Sequence, residues 1–202
     1  MSVSKTSQER ILDAALSSFA GRGFEATSLD GLAGVLGLTK QTILHHFGSK
    51  DGLLVAVMDR AVAEVGAVID ESLARGRSRA TAMETVVRAA YSLAGRRPEL
   101  LGFMREVGRL GPTHNAQLAA HLEPLTNRAT AFLREEMGAD ARPNDPQRAV
   151  YAAYASVLGA VTEFEVLRQL GELPSARLMV RRRSELLRYL DDLLEGSGGR
   201  TR

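Results

Sequence analysis

The chain has 202 residues, 45% hydrophobic and 25% charged, which suits one large domain, or a small domain plus a medium one, with a core that needs no staples. It has no cysteine, so disulfides and thiolate metal sites are excluded. A net charge of +2 is too small to indicate a nucleic-acid partner, but Lys5, Lys40 and Lys50, the only lysines, all fall in the first fifty positions.

Glu9 and Asp13 interrupt any apolar signal core, and the longest uncharged stretch, Ala149–Thr162, is too short to cross a bilayer. Cytoplasmic residence without membrane contact is the expectation. Alternating β-branched runs and hairpin turns are missing, so the expected fold class is all-α.

The first helix is expected over Ser7–Ala20. Thr6 and Glu9 fit a capping box, and Ile11, Ala15 and Phe19 line one face, with Gly21 and Gly23 as stops. A second helix should start at Thr27, with Thr27 and Asp30 as its capping pair and Leu29, Leu32, Ala33 and Leu36 facing inward. Gly37 ends it, Lys40–Phe47 forms a short third helix, and a fourth runs from Ser49 to about Ala74. Arg75–Ser78 reads as a loop. Helices follow over Ala80–Leu93, Pro98–Leu110, His114–Met137, Asp145–Leu170 and Ser175–Leu194, with prolines at most boundaries. Pro124 is the exception and should kink or split the seventh helix. The tail 196–202 is expected to be disordered.

Ser28–Phe47 is helix, glycine turn, helix, centred on Leu36-Gly37-Leu38-Thr39. A DNA-reading helix-turn-helix has this form, because the second helix must enter the major groove. At 100° per residue Ile43, Leu44 and Phe47 share one face, while Gln41, Thr42 and His45 point away with His46 alongside. That outward set is polar, and no carboxylate occurs in Lys40–Phe47 to repel phosphate. Glutamine suits adenine, lysine suits guanine, and threonine suits bases or a thymine methyl. Lys50 opposes the macrodipole of the fourth helix, and a bound phosphate would explain it there. Spacing alone leaves a second reading open, since helix–glycine–helix turns also occur in purely structural helical domains and Thr27 and Thr39 would then be N-caps only.

The run ILDAALSSFAGRGFEATSLDGLAGVLGLTKQTILHHFGSKDGLL, within Glu9–Leu54, closely resembles the N-terminal domain of the TetR family of bacterial transcriptional regulators. The resemblance covers about a quarter of the chain. It implies an N-terminal three-helix helix-turn-helix head over residues 1–50 and a larger helical ligand-binding and dimerisation domain over 51–195. It further implies phosphate contacts from Thr27, Thr39, His45 and Lys50, and base-edge contacts among Lys40, Gln41, Thr42 and His46. Leu44 stands where the family usually has a tyrosine that reaches DNA, so that contact is lost or becomes apolar.

The helix over Asp145–Leu170 is apolar nearly all round and must be covered on more than one side. Val157 and Val161 there, with Leu186 and Leu190 in the last helix, are the candidate dimer interface; a monomeric core is the alternative. Arg181-Arg182-Arg183 reads as a solvated helix face. Tyr91, Phe103, Met104, Leu122, Phe132, Tyr151, Tyr154 and Phe164 are candidates to line an apolar effector pocket, or else plain core. His114 and His121 share a helix face without the carboxylate set a metal site needs, so neither metal nor cofactor is expected. Enzyme motifs are lacking: no nucleophile elbow, no phosphate loop, no His-Glu-x-x-His. The expected function is a ligand-responsive regulator, a repressor in the first instance. It would bind a palindromic operator in double-stranded DNA as a homodimer and be released by a small apolar or amphipathic effector. A helical enzyme is the competing class, and a helical ligand-binding or scaffold protein that has lost DNA binding is a third, supported by Leu44 alone.

Overall fold

The computed structural model describes residues 5–75, 79–137, 145–171 and 176–195. The described residues form helices and turns without strands: α1 Ser7–Arg22, α2 Leu29–Leu36, α3 Lys40–Phe47, α4 Lys50–Arg75, α5 Arg79–Arg96, α6 Pro98–Arg109, α7 Pro112–Met137, α8 Asp145–Gln169 and α9 Ala176–Glu195. The all-α expectation holds. Arg75, expected in a loop over Arg75–Ser78, is the last residue of α4, and the rest of that loop and the tail lie outside the described residues.

Local chemistry sets the boundaries. Thr6 and Glu9 form the expected capping box, each side chain meeting the other's backbone N–H, at 3.2 Å and 2.7 Å. The start of α2 differs from expectation. Its N-cap is Ser28, whose Oγ accepts from the Gly31 N–H at 3.0 Å. Thr27 lies one residue outside and is buried. Gly37 ends α2 in the left-handed region at φ 66°, which lets the Leu38 N–H turn back onto Ala33 O at 2.9 Å. Pro124 does not split α7, which continues across it. Pro124 and Ala120 are both exposed, so the carbonyl freed by the missing N–H is open to water.

The chain groups into two compact units. One comprises 1–64 and 97–122, the other 65–96 and 123–202. The head read from sequence as 1–50 lies within the first, together with α6 and the beginning of α7. There Ile11, Ala15, Leu16 and Phe19 of α1 are buried, as are Leu100, Phe103, Met104 and Val107 of α6. Phe19 stacks on Phe103 at 6.3 Å and meets Phe24 at 5.4 Å. The side of α6 against α1 is kept small: a Cβ at Gly102 would lie 3.4 Å from the Cβ of Ala20.

In the second unit the core is Val87, Tyr91, Leu133, Ala149, Ala160, Leu186 and Leu190, with Phe132, Val150, Ala153 and Val157 packed against it. Arg182 of α9 joins α8 through a two-point contact with Glu163, at 2.8 and 3.0 Å, and reaches Glu185 at 2.9 Å.

Candidate nucleic-acid interface

The candidate recognition helix is only eight residues long, too short to be stable alone. Three features hold it. Thr39 caps it, its Oγ1 accepting from the Thr42 N–H at 3.2 Å. The Gly48 N–H closes its last turn on Leu44 O at 2.8 Å. Ile43 is fully buried beneath it, with Leu44 and Phe47 half-buried beside it. Inward anchoring of Ile43 leaves Lys40, Gln41, His45 and His46 exposed and Thr42 half-buried. Three of the four expected base-reading residues, Lys40, Gln41 and His46, are thus exposed on one helix. His45 and His46 meet edge-on at 5.6 Å.

Each described lysine has a partner. Lys5 pairs with Asp13 at 2.7 Å, and Lys40 with Asp30 of α2 at 3.2 Å. Both charges of the second pair are well exposed, so it is weak and readily exchanged for a base or phosphate. Asp30 is a carboxylate that a scan of Lys40–Phe47 alone misses, because two turns of chain separate it from its partner. Lys50, in the first turn of α4, donates to Glu25 O at 3.3 Å, and its ammonium sits 4.2 Å from the centre of the Phe24 ring. These contacts hold it against the opposing helix dipole.

The expected phosphate contacts divide. Thr39, His45 and Lys50 lie at or near the surface around α3. Thr27 does not. Its hydroxyl donates to Gly23 O at 2.8 Å, so the neighbouring Ser18 hydroxyl must be the donor in their 3.0 Å contact. Thr27 is 3% exposed, and its one proton is used inside the fold. The sequence placed it correctly at the head of α2 but one position off the cap, and the cap residue is the one that faces out.

The other candidates are redistributed. Phe103 and Met104 are buried in the first unit, Phe103 against Phe19, and Leu122 belongs to that unit too. Phe103 and Met104 are thus core residues of the head-bearing unit, and Leu122 is half-buried. Tyr91, Phe132, Tyr151 and Tyr154 belong to the second unit. The Tyr91 hydroxyl meets Ser156 Oγ at 3.1 Å, and burial pushes its phenol up from the ordinary value. A cleft of about 380 Å³ between α8 and α9 is lined by Ser156, Gly159, Ala160, Glu163, Arg182 and Glu185, and by none of the expected aromatic residues. Leu186 and Leu190 are buried in the core of the second unit, at 4% and 3% exposure. Val157 packs against the same core. The side chains of Val161 and Phe164 lie outside the described ones. The exposed large apolar side chains of this unit are instead Tyr151, Tyr154, Val166 and Leu170 on and just after α8 and Val180 and Tyr189 on α9. Hydrophobic periodicity identified apolar helices here but not which side faced inward.

His114 and His121 each pair with a carboxylate of α4, Asp51 at 3.4 Å and Asp59 at 2.8 Å. Among the described residues no group of three or more metal-ligating side chains comes together, and no helix is long and apolar enough to cross a membrane.

The family model described as bacterial regulatory proteins, tetR family, matches residues 11–57, the span of α1 to α3 and the start of α4. Residues 11–57 are thus a DNA-binding domain of the TetR family. By that domain the chain is a DNA-binding transcriptional regulator of the helix-turn-helix type. A curated relative, the HTH-type transcriptional regulator RutR of Escherichia coli (strain K12), is 24% identical over 151 residues, covering 74% of this chain and 71% of RutR. Two solved structures share the fold. The transcriptional regulator FadR from Bacillus subtilis, in complex with stearoyl-CoA, has a TM-score of 0.76 at 17% identity over 93% of this chain and 97% of FadR. The TetR family regulator PfmR from Thermus thermophilus has a TM-score of 0.69 at 24% identity over 95% of this chain and 97% of PfmR. The family match spans α2 and α3, and residues 58–202 of the chain lie beyond it.

Proposed function

We propose that this chain is a ligand-responsive repressor that binds a palindromic operator as a homodimer and releases it when a small apolar or amphipathic molecule binds the C-terminal helices. The observation that carries the reading is the division of α3: Ile43 fully buried, with Lys40, Gln41, His45 and His46 open on the other side. A helix inserted in the major groove needs that division. Base edges are assigned to Lys40, Gln41, Thr42 and His46, and phosphates to Thr39, His45 and Lys50.

The second copy is assigned to the exposed face of α8, where Tyr151, Tyr154, Val166 and Leu170 leave apolar surface in water, with Val180 of α9 beside it. Two-fold association also suits a palindrome, whose half-sites lie about 34 Å apart or a multiple of it. The effector site is assigned to the second unit, around Tyr91 and Phe132. An amphipathic effector is supported by that aromatic content and by the stearoyl-CoA bound to the structurally similar FadR. A cytoplasmic site of action fits DNA as the partner.

Selection of genomic fragments by the purified protein tests this reading. The expected product is a palindrome protected over two half-sites, with affinity that falls when ligand is added. Linkage requires a ligand that weakens DNA binding tenfold to bind the DNA complex tenfold more weakly than the free protein. Enrichment of no common sequence would overturn the proposal.

A further inference from the structure

Lys50 is held by a loop, and the loop is held by α6. The backbone N–H of Phe24 donates to Glu106 Oε1 at 2.8 Å. The same carboxylate lies so close to Gly23 that a Cβ there would come within 2.9 Å of Oε1, and Gly23 has φ +92°. The conformation calls for glycine, and a Cβ there would have to push the Glu106 carboxylate aside. Two residues hold the Lys50 ammonium: the ring of Phe24 at 4.2 Å and the carbonyl of Glu25 at 3.3 Å. Both belong to the segment that Glu106 anchors. Phe24 is further fixed by Phe19 at 5.4 Å and the His114 ring at 5.9 Å. The Glu106 hydrogen bond is to backbone, so it acts on where the loop sits and not on its side-chain composition.

We propose that Glu106 of α6 is a positioning residue for DNA binding: through Gly23–Glu25 it sets where Lys50 presents its ammonium to a phosphate. This rests on the assignment of Lys50 to phosphate. Glu106 itself touches no DNA. Its negative charge would oppose binding, so an effect of losing the charge and an effect of losing the anchor have opposite signs.

The test is the salt dependence of binding to a random-sequence duplex of about three helical turns, with wild type, Lys50→Ala, Glu106→Ala, Glu106→Gln and the Lys50→Ala/Glu106→Ala pair. Each lost phosphate contact should lower the slope of log K against log salt by about 0.9. Glu106→Ala should lower it as much as Lys50→Ala, and the double variant no further. Glu106→Gln keeps an acceptor for the Phe24 N–H and should keep the wild-type slope. If the Ala variant does not fold, Glu106→Asp, which withdraws the carboxylate by one methylene, should lower the slope in its place. A wild-type slope for both Glu106→Ala and Glu106→Asp, beside a lowered one for Lys50→Ala, would overturn the positioning role and leave Lys50 assigned. An unchanged slope for Lys50→Ala would overturn the phosphate assignment, and this inference with it.

Discussion

Replacing Thr27 with valine separates a structural hydroxyl from a phosphate-binding one. Valine keeps the shape and deletes only the hydroxyl. In the folded chain that hydroxyl donates to Gly23 O at 2.8 Å and accepts from Ser18 Oγ at 3.0 Å, with Thr27 at 3% and Ser18 at 6% exposure. Each hydrogen bond contributes about 0.5–1.5 kcal/mol net, and a buried hydroxyl left without a partner costs about 1–3 kcal/mol. Gly23 is half-buried and its carbonyl can turn to water, so the Ser18 hydroxyl carries most of the loss. The expected destabilisation is about 1–3 kcal/mol. At about 2–4 °C per kcal/mol for a chain of this size, Tm should fall by roughly 2–12 °C. Adding Ser18→Ala should recover part of that, because removing both partners leaves no orphan. Calorimetry or urea titration gives the stability, and duplex binding across a salt series reports the phosphates engaged. The slope should stay at the wild-type value. Unchanged stability with a slope lowered by about 0.9 per head would refute the argument and return Thr27 to the phosphate set.

Tyr151→Glu or Val166→Glu should convert a dimer to a folded monomer, seen by light scattering together with circular dichroism. Leu190→Glu should instead unfold the second unit, because Leu190 is 3% exposed within its core; a folded monomer from Leu190→Glu would return it to the interface. Asp13 supplies a pH test. Burial raises its carboxyl, but hydrogen bonds from Lys5 and Arg60 outweigh this and hold it below its ordinary 3.8. A lowered folded value means the stabilisation is present above the ordinary value and is lost as pH falls through the lowered one. Asp13→Asn should therefore lower the urea midpoint at about pH 6, and the gap from wild type should narrow progressively as pH falls below about 3.8; a gap that stays constant down to acid unfolding would refute the assignment.

The parts of the fold set by local chemistry are legible in the sequence alone. The Thr6–Glu9 box, the Gly37 turn and the bounds of α3 depend on residues a few positions apart, and each appears as read. Partnership between distant segments is not legible. Periodicity points Leu186 and Leu190 to an interface, and Phe103 and Met104 to a pocket, because an apolar stripe shows that a helix must be covered without showing by what. Asp30 beside Lys40 and Glu106 beneath Gly23 escape the sequence for the same reason. Thr27 shows the limit at close range: one residue of error at a cap turns an outward hydroxyl into a buried one.

The central claim is that the open face of α3 reads sequence. Its most direct test compares wild type and Gln41→Ala on a selected operator and on copies altered one base pair at a time in each half-site. Wild type should lose about 1–3 kcal/mol at each position it reads, roughly 5- to 150-fold. Gln41→Ala should lose discrimination at one position per half-site and keep it at the others. Equal binding of wild type to the operator and a scrambled duplex, or an unaltered pattern in Gln41→Ala with the other exposed residues of α3 equally silent, would contradict it.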